Sequence, residues 1–342
     1  MSWLSDDEDD GEYAEYDETS AKVRPNPKAN KPRTKVRPEY ADTVPGRVFS
    51  VDRGRYGVWV DENTPIEREV TAAKARELGK YSVVTGDWVD LVGDSTGEPG
   101  SLARIVRVHE RTSLLRRSAD DTDAVERIIV ANADQMLIVV AAANPEPRTR
   151  LVDRYLVAAF DAGITPLLCI TKTDLEDPAP FLANFAGLGI TTFESRANAV
   201  PLDVLTEALQ GHTTVAVGHS GVGKSTLVNA LVPEAMRAIG RVNIVTGRGR
   251  HTSSSTVSLR VGTGWIVDTP GVRSFGLGHV NPDNILRSFR DLAVIARDCP
   301  RGCTHLPDSP DCEIVERVGA GELGDIGKLR LDSLQRLLGT LA

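Results

Sequence analysis

The sequence predicts an α/β protein that carries a small β-barrel before its α/β core and a compact helical segment after it. Strand and helix patterns alternate between residues 127 and 276, which is typical of βαβ units around a mostly parallel sheet. Short alternating strands precede this region, and helix patterns surround a cysteine cluster that follows it. We therefore expect a charged tail at 1–42, a barrel at 43–118, the core at 119–279 and a helical segment at 280–342.

Composition excludes several classes of protein. The chain has 342 residues and a net charge of −8, so it is long enough for two or three domains and is not a generally basic nucleic-acid binder. It contains no apolar run long enough to span a membrane, and its acidic start lacks the features of a secretory signal. We expect a soluble, cytoplasmic protein with neither a membrane nor DNA among its partners.

Residues 1–42 form a low-complexity segment with an acidic stretch at 6–10 and basic, proline-punctuated residues at 22–37. Few large apolar side chains are available to offset the ordering entropy, so we expect this tail to be disordered. It serves either as a solubilising tail or as a basic arm that touches RNA.

The barrel is predicted from strand patterns at 46–51, 56–60, 87–92 and 102–108, with one helical stretch near 72–78. This arrangement is typical of the OB type, a fold that often binds oligonucleotides. A stripe of arginines either contacts phosphates or is ordinary exposed charge. These arginines are Arg104, Arg107, Arg111, Arg116 and Arg117.

The core is predicted from six strand patterns and four helix patterns. The strands are expected at 135–141, 165–170, 190–193, 213–217, 256–261 and 265–267. The helices are expected near 150–162, 180–188, 201–209 and 224–231. Because most of these strands should be parallel, their carboxyl ends should meet at one edge of the sheet, where ligands bind in open α/β folds.

The strand at 213–217 runs into the phosphate-loop pattern G-x-x-x-x-G-K-[ST], and a helix pattern begins at Lys224. Glycines allow backbone N–H groups to surround the β-phosphate near the positive end of the helix. Lys224 should reach the β- and γ-phosphates and contribute to catalysis, while the Ser225 hydroxyl ligates Mg²⁺. The predicted nucleotide ligands of this loop are Gly218, His219, Ser220, Gly221, Val222, Gly223, Lys224, Ser225 and Thr226.

Asp268 ends an apolar strand and opens the pattern Asp-Thr-Pro-Gly. The aspartate can hold a magnesium-bound water, and Gly271 can donate its N–H to the γ-phosphate. The polar, glycine-rich segment 247–255 is typical of a switch loop, in which Thr252 or Ser253 is the Mg²⁺ ligand.

Val272 stands where Ras-like enzymes carry a glutamine that orients the attacking water. A valine cannot orient water, so unaided hydrolysis should be slow. His251 is the candidate catalytic group, and the alternative is that it is an ordinary solvated loop histidine.

The guanine-recognition element is matched by Thr171, Lys172, Thr173 and Asp174, which follow another buried strand. Asp174 can accept hydrogen bonds from guanine N1–H and N2–H₂, which adenine cannot supply, and Lys172 can lie along the base. Thr171 replaces the usual asparagine, which should weaken guanine binding without reversing the preference. Segment 195–197 can bring a backbone N–H to guanine O6.

Three cysteines and a histidine lie close together in the pattern Cys299-x₃-Cys303-x-His305-x₆-Cys312. Four such ligands in a chain with one further cysteine favour a closed, tetrahedral, structural Zn²⁺ site. A closed site has no open position for substrate, so we expect this metal to support the fold.

The guanine element normally follows the phosphate loop and the Asp-x-x-Gly pattern along the chain, whereas here it precedes both. This order predicts a circularly permuted P-loop GTPase domain, flanked by the OB-type β-barrel and a C-terminal helical zinc-binding domain.

On these motifs the chain resembles the RsgA/YjeQ family of ribosome small-subunit-dependent GTPases, over residues 44–342. The motifs are Gly-His-Ser-Gly-Val-Gly-Lys-Ser-Thr at 218–226, Gly-Arg-His-Thr at 249–252, Asp-Thr-Pro-Gly-Val-Arg at 268–273 and Asn-Ala-Asp-Gln at 132–135. The cysteine spacing departs by one residue on each side from the family pattern C-x₄-C-x-H-x₅-C.

The resemblance implies a GTP hydrolase that binds the 30S ribosomal subunit and its 16S rRNA late in maturation, is stimulated by the subunit, and leaves on hydrolysis. It implies GTP or GDP with Mg²⁺ as ligands and one structural Zn²⁺. We expect a monomer, because neither a heptad pattern nor a long apolar surface helix indicates assembly.

Three alternatives stay open on the sequence alone. The chain can be a P-loop ATPase or kinase in which 171–174 is incidental. It can be a nucleotide-regulated RNA-binding scaffold that does not hydrolyse its nucleotide. It can also be a permuted GTPase that acts on another ribonucleoprotein particle.

Overall fold

A closed barrel comes first in the structure, a computed structural model that describes residues 40–52, 54–118, 126–233, 256–269 and 275–341. Its strands are β1 (Val44–Asp52), β2 (Arg55–Val60), β3 (Arg68–Lys74), β4 (Trp88–Gly93) and β5 (Ala103–Val108). They pair in the order β1-β2-β3-β5-β4, and β4 returns to β1. Only β3 and β5 run parallel within the barrel. Val48, Val58 and Leu91 are fully buried inside it, and the predicted barrel is confirmed.

The helical stretch predicted near 72–78 is wrong. Strand β3 continues through Lys74, Ala72 pairs with Ala103 of β5, and only a short 3-10 turn follows. Val70 and Ala72 are buried on the same face of β3, as the two-residue period of a strand requires. The hydrogen-bond ladder of the barrel therefore outweighs the helix propensity of the alanines.

The predicted basic stripe is smaller than expected because the Arg111 side chain is only 8% exposed. Its Nε atom donates to Asp87 Oδ1 at 2.7 Å, and this hydrogen bond raises the pKa of Arg111. Arg104 is exposed, and Arg107 remains 65% exposed although it pairs with Asp90 at 3.2 Å. The part of the stripe on β5 is thus carried by Arg104 and Arg107.

A β-hairpin connects the barrel to the core. It consists of β6 (Leu114–Ser118) and β7 (Glu126–Ala131), which pair antiparallel. Asn132 follows β7 with a φ of 55°, a left-handed conformation that asparagine tolerates. Its Nδ2 atom donates to the Gly86 carbonyl at 2.9 Å, and its Oδ1 atom accepts from the Thr112 N–H at 2.8 Å. Asn132 therefore fixes the chain where it leaves the barrel.

The core alternates strands and helices as predicted. Its strands are β8 (Gln135–Ala141), β9 (Thr165–Thr171), β10 (Thr191–Glu194), β11 (Thr213–Val217), β12 (Val257–Val261) and β13 (Gly264–Asp268). Its helices are α1 (Thr149–Asp161), α2 (Ala179–Leu182), which continues as the 3-10 helix Ala183–Leu188, α3 (Leu202–Leu209) and α4 (Lys224–Leu231). Burial on both faces explains the continuous apolar run of β8, all of whose residues are buried.

The core sheet has the order β10-β9-β8-β11-β13-β12. The first five strands are parallel, and β12 is antiparallel to β13. Strand β12 also pairs antiparallel with β1, with Val257 opposite Ser50, so the barrel and the core share one continuous sheet.

Helices form the C-terminal part of the structure. They are α5 (Pro282–Arg287), α6 (Arg290–Ile295), extended by the 3-10 turn Ala296–Asp298, α7 (Glu313–Gly319) and α8 (Gly324–Leu338). Buried side chains of these helices share one hydrophobic cluster with α1. Tyr155 of α1 meets Phe275 edge to face, with ring centroids 5.8 Å apart. Across the described residues, no helix combines the length and the apolar character that crossing a membrane requires.

A buried polar cluster joins the barrel to the amino ends of two core strands, β11 and β13. The Arg47 guanidinium donates to Thr213 Oγ1 and lies 3.8 Å from the Glu62 carboxylate. The Trp265 indole N–H donates to the same carboxylate. Burial lowers the pKa of Arg47, and the nearby Glu62 charge opposes this shift. Arg47 and Glu62 are thus barrel side chains that contact the first residues of β11 and β13.

We predict that Arg336→Met lowers the free energy of unfolding by about 3 kcal/mol at pH 7, because it leaves the buried Asp153 carboxylate without its cation. Arg336 Nε lies 3.1 Å from both oxygens of Asp153. Burial raises the pKa of Asp153 even with Arg336 present. A carboxyl group whose pKa is raised in the folded state stabilises that state at low pH, and this stabilisation is lost as the pH rises through the raised pKa. The stability deficit of Arg336→Met should therefore shrink on acidification from pH 7 to 5.

Arg330→Met on the same helix is the matched control, because its partner Asp291 is partly exposed and the pair should contribute less than about 1 kcal/mol. Denaturant midpoints of the two variants and the parent chain across this pH range provide the measurement. Equal losses for the two variants, or a deficit of Arg336→Met that grows on acidification, would contradict the prediction.

Candidate nucleotide site and metal centre

The predicted nucleotide-binding segments meet at one edge of the core sheet. Strands β8, β9, β10, β11 and β13 are parallel, so their carboxyl ends lie at the same edge. The phosphate loop leaves β11, Asp268 ends β13, and the element 171–174 begins at the end of β9. Segment 195–197 follows β10 at the same edge. Strand order in space thus unites motifs that are permuted along the chain.

Two glycines give the phosphate loop its path. A Cβ atom on Gly218 would lie 2.5 Å from the Val139 carbonyl oxygen, so the loop can leave β11 this close to β8 only without a side chain. Gly223 has a φ of 91°, a conformation that glycine adopts without strain. Lys224 follows it as the first residue of α4.

Lys224 and Asp268 are in contact through Nζ and Oδ1. Lys224 begins α4, which follows the loop after β11, and Asp268 ends β13, the strand that pairs with β11. The Thr269 hydroxyl also donates to the Ala216 carbonyl at 3.0 Å, which fixes the chain just after Asp268. Ser225 lies exposed in the first turn of α4. One cation for phosphate oxygens and two oxygen groups for a hydrated metal are therefore gathered here.

Thr171 and Lys172 tie the predicted base element to the phosphate loop. The buried Thr171 hydroxyl donates to the Val222 carbonyl at 2.5 Å. The Lys172 ammonium donates to the Gly221 carbonyl at 2.9 Å and to the Asn144 carbonyl. The threonine that replaces asparagine thus serves as a tether between two loops.

A cavity of about 430 Å³ opens beside Asp174. The Asp174 Oδ1 atom accepts the Ala197 N–H at 3.2 Å, and the Thr173 N–H donates to the Ser195 carbonyl at 3.3 Å, which holds the two loops together. Polar and charged side chains dominate the lining. They are Thr173, Asp174, Glu176, Asp177, Glu194 and Arg196. The exposed Asp174 carboxylate can accept hydrogen bonds from the N1–H and N2–H₂ groups of guanine in this cavity.

The four predicted metal ligands converge in the C-terminal part. Their ligand atoms all lie within 4.8 Å of one another. The sulfur atoms of Cys303, Cys312 and Cys299 lie 3.4, 3.6 and 3.8 Å from His305 Nδ1. Tetrahedral Zn²⁺, with bonds of about 2.3 Å to sulfur and about 2.0 Å to nitrogen, separates its ligand atoms by roughly 3.5 to 3.8 Å. The geometry therefore fits Zn²⁺ bound through Nδ1.

Local electrostatics favour the metal-binding forms of two of these ligands. Burial lowers the pKa of His305, which favours the neutral imidazole. Burial acts to raise the pKa of Cys303, but hydrogen bonds, above all with Ser309, lower it overall. The Gln335 amide of α8 donates to the His305 carbonyl at 3.2 Å, so the last helix supports the ligand loop.

Comparison with known proteins identifies the family. A family model described as RsgA GTPase matches residues 108–278. The small ribosomal subunit biogenesis GTPase RsgA of Pseudomonas aeruginosa (strain LESB58) is 36% identical over 269 residues, which cover 76% of each chain. The small ribosomal subunit biogenesis GTPase RsgA 1 of Vibrio vulnificus (strain YJ016) is 34% identical over 273 residues, covering 77% of this chain and 76% of the relative. This chain belongs to the RsgA GTPase family.

Solved structures agree with this assignment to the RsgA GTPases. The crystal structure of YjeQ from Thermotoga maritima matches with a TM-score of 0.64 at 25% identity, covering 88% of this chain and 99% of that one. YloQ, described as a circularly permuted GTPase, matches with a TM-score of 0.64 at 24% identity, covering 89% and 96%. The predicted fold class and the resemblance are confirmed.

Several residues predicted for this RsgA-type site lie outside the described residues. They are His251, Thr252, Ser253, Gly271 and Val272. Their roles as catalytic group, Mg²⁺ ligand and γ-phosphate contact stay predictions.

Two residues that contribute to the site at this edge of the sheet were not predicted. Asn144 offers its backbone carbonyl to Lys172, and the Asn-Pro dipeptide just after a buried strand was the signal for a turn at this edge. Arg196 is a lining residue of the cavity, whereas the sequence indicated only a backbone N–H of its segment as a contact for guanine O6. Cys169 of β9 is fully buried, and burial raises its pKa to about 12, so this thiol takes no part in the site.

We predict that Thr171→Val weakens GDP binding about fivefold, because the phosphate loop loses a hydrogen bond worth about 1 kcal/mol while the side-chain volume is kept. Titration calorimetry with GDP measures this. Thr340→Val is the matched control, since its hydroxyl also donates to a backbone carbonyl, that of Arg336 at 3.1 Å, but lies just after the last helix, away from this site. If both valine variants bind GDP equally well, the tether does not support nucleotide binding.

We also predict one zinc atom per chain, lost in Cys312→Ser and retained in Cys169→Ser, as measured by elemental analysis of the purified proteins. Removing the metal leaves buried sulfur ligands unpaired, so strong chelators should reduce the helical signal of the C-terminal part. The absence of zinc from the parent chain, or its full retention in Cys312→Ser, would contradict the assignment.

Proposed function

We propose that this chain hydrolyses GTP and assists the late maturation of the small ribosomal subunit, by binding the 30S particle and contacting its 16S rRNA. The observation that carries the proposal is the meeting of Lys224, Asp268 and Asp174 at one sheet edge in a member of the RsgA GTPase family. Relatives named small ribosomal subunit biogenesis GTPase supply the proposed partner. A cytoplasmic location and action as a monomer are parts of this proposal.

The proposed site assigns one role to each group. The loop 218–226 surrounds the phosphates, with Lys224 on the β- and γ-oxygens. Ser225, Thr252 and Asp268 would hold the hydrated Mg²⁺. Bound Mg²⁺ would neutralise the charge that develops on the phosphate oxygens.

Two further groups complete the proposed site. Gly271 donates its N–H to the γ-phosphate, and His251 is the candidate that positions the attacking water. The flanking regions are assigned as a tail at 1–42, a barrel at 43–118 and a zinc domain at 280–342, around a GTPase domain at 119–279.

Stimulation by the subunit follows from the composition of the site. Valine at position 272 cannot orient water, so a group that becomes ordered or is supplied on the ribosome has to complete the catalytic geometry. Arg104 and Arg107 on β5 are exposed and offer phosphate contacts on the barrel. Barrels of the OB type bind oligonucleotides. Loss of the γ-phosphate then releases the switch segments and lowers the affinity for the particle.

We predict that GTP turnover by the purified chain is slow, on the order of 10⁻³ per second, and rises at least about tenfold with equimolar 30S subunits. Turnover with 50S subunits or with ATP should stay near background. Lys224→Ala, which removes the phosphate-binding cation, is the inactive control. Equal stimulation by 30S and 50S, or none by either, would remove the small subunit from the proposal and leave a permuted GTPase of another target.

A further inference from the structure

The cavity beside Asp174, called here the base cavity, is lined by unevenly distributed charges. Carboxylates of Asp174, Glu176, Asp177 and Glu194 line it, and Arg196 is the only cation among the described lining residues. Guanine presents hydrogen-bond donors at N1 and N2 and acceptors at O6 and N7. If the N1 and N2 donors of guanine face Asp174, the O6 and N7 acceptors need a donor from another residue of the cavity.

The residues of the base element closest to the phosphate loop do not supply that donor. The single Thr171 O–H is committed to the Val222 carbonyl at 2.5 Å. The Lys172 ammonium is committed to the carbonyls of Gly221 and Asn144. The Thr171 hydroxyl therefore has no donor left for the base, and the Lys172 ammonium is drawn towards backbone carbonyls on the phosphate-loop side.

Arg196 is an exposed residue of the cavity lining, and its backbone is held in place. Its backbone is fixed by a tight turn in which the Arg196 N–H donates to the Ala199 carbonyl at 3.3 Å and the Ala199 N–H donates back at 3.2 Å. The next N–H, that of Ala197, is bonded to Asp174. In the described part of the chain the Arg196 side chain has neither an ion-pair nor a hydrogen-bond partner, and it is exposed.

We propose that Arg196 is a specificity-determining residue that donates N–H groups to O6 and N7 of the guanine base bound at Asp174. A guanidinium is suited to this edge, because its planar fork matches the O6/N7 acceptor pair of guanine in a bidentate contact. The inference rests on the proposed guanine site and adds to it a side chain from outside the guanine-recognition element 171–174.

The same arrangement rejects adenine on two sides. Adenine places an acceptor, N1, against the Asp174 carboxylate and a donor, the 6-amino group, against the Arg196 guanidinium. Each mismatch sets like groups against each other, an acceptor against an acceptor at N1 and a donor against a donor at the 6-amino group. Arg196 and Asp174 therefore discriminate at different atoms of the base, and their contributions can be measured separately.

The test combines base analogues with variants in titration calorimetry. The parent chain, Arg196→Ala, Asp174→Asn and the exposed barrel arginine variant Arg76→Ala are each titrated with GDP, 7-deaza-GDP and ADP. In 7-deaza-GDP a C–H group replaces N7, so one acceptor is removed while N1, N2 and O6 are kept. Arg76→Ala controls for the loss of a surface charge.

We expect Arg196→Ala to bind GDP on the order of tenfold more weakly than the parent chain, the effect of losing one bidentate contact. The parent chain should prefer GDP over 7-deaza-GDP, and Arg196→Ala should bind the two equally. Arg76→Ala should behave as the parent chain does. A parent chain indifferent to N7, or an Arg196→Ala variant that keeps the full N7 preference, overturns the proposal.

The Asp174→Asn variant distinguishes a failure of the role of Arg196 from a failure of the proposed guanine site. If Asp174→Asn loses the preference for GDP over ADP while Arg196→Ala changes neither GDP affinity nor N7 dependence, the guanine site stands and only the role of Arg196 fails. If Asp174→Asn keeps the full preference for GDP, the proposed base site is wrong, and the inference about Arg196 falls with it.

Discussion

Hydrogen bonding of β8 to both β9 and β11 is the constraint on which the rest of the site depends. The two ladders place Ala141 opposite Thr171 and Ile138 opposite Val217, so the loops after β9 and β11 emerge on either side of one strand. Side chains of the first loop can then reach carbonyls of the second. None of these contacts requires a particular order along the chain, because parallel strands present their carboxyl ends at one edge whatever their connections. A permuted chain therefore builds the same nucleotide site.

The permutation does decide where the flanking parts attach. The barrel pairs through β1 with β12 and places Arg47 and Glu62 against the first residues of β11 and β13. The C-terminal helices instead pack on α1 and share its hydrophobic cluster. Phe275, which follows β13 along the chain, is buried against Tyr155 of α1 and belongs to that hydrophobic cluster. The strand that ends in Asp268 thus touches the barrel at its start and leads towards the C-terminal helices after its end.

The sequence predicted the elements whose signal is local and missed those decided by tertiary contacts. Strand β8 and helix α4 were predicted at their observed bounds, because a continuous apolar run and a phosphate-loop pattern define them. Strand β3 was missed because Ala72 and Ala73 carry little strand propensity, and the ladder with β5 decides their conformation. The burial of Arg111 depends on Asp87, which lies on a separate turn of the barrel and which no spacing rule links to it. The convergence of three cysteines on His305 was predictable because closely spaced ligands need little long-range information.

Thr171 shows why the base element and the phosphate loop act as one unit. In this chain the donors of Thr171 and Lys172 are used on the carbonyls of Val222 and Gly221, so any displacement of the phosphate loop moves the start of the segment that carries Asp174. A ligand that orders one loop lowers the cost of ordering the other, and this coupling acts equally in both directions. Base and phosphate recognition are then favourable together or lost together. Threonine at position 171 makes this coupling through its one hydroxyl and offers no side-chain amide, and for this reason we propose that the loop after β10 donates to the remaining acceptors of the base.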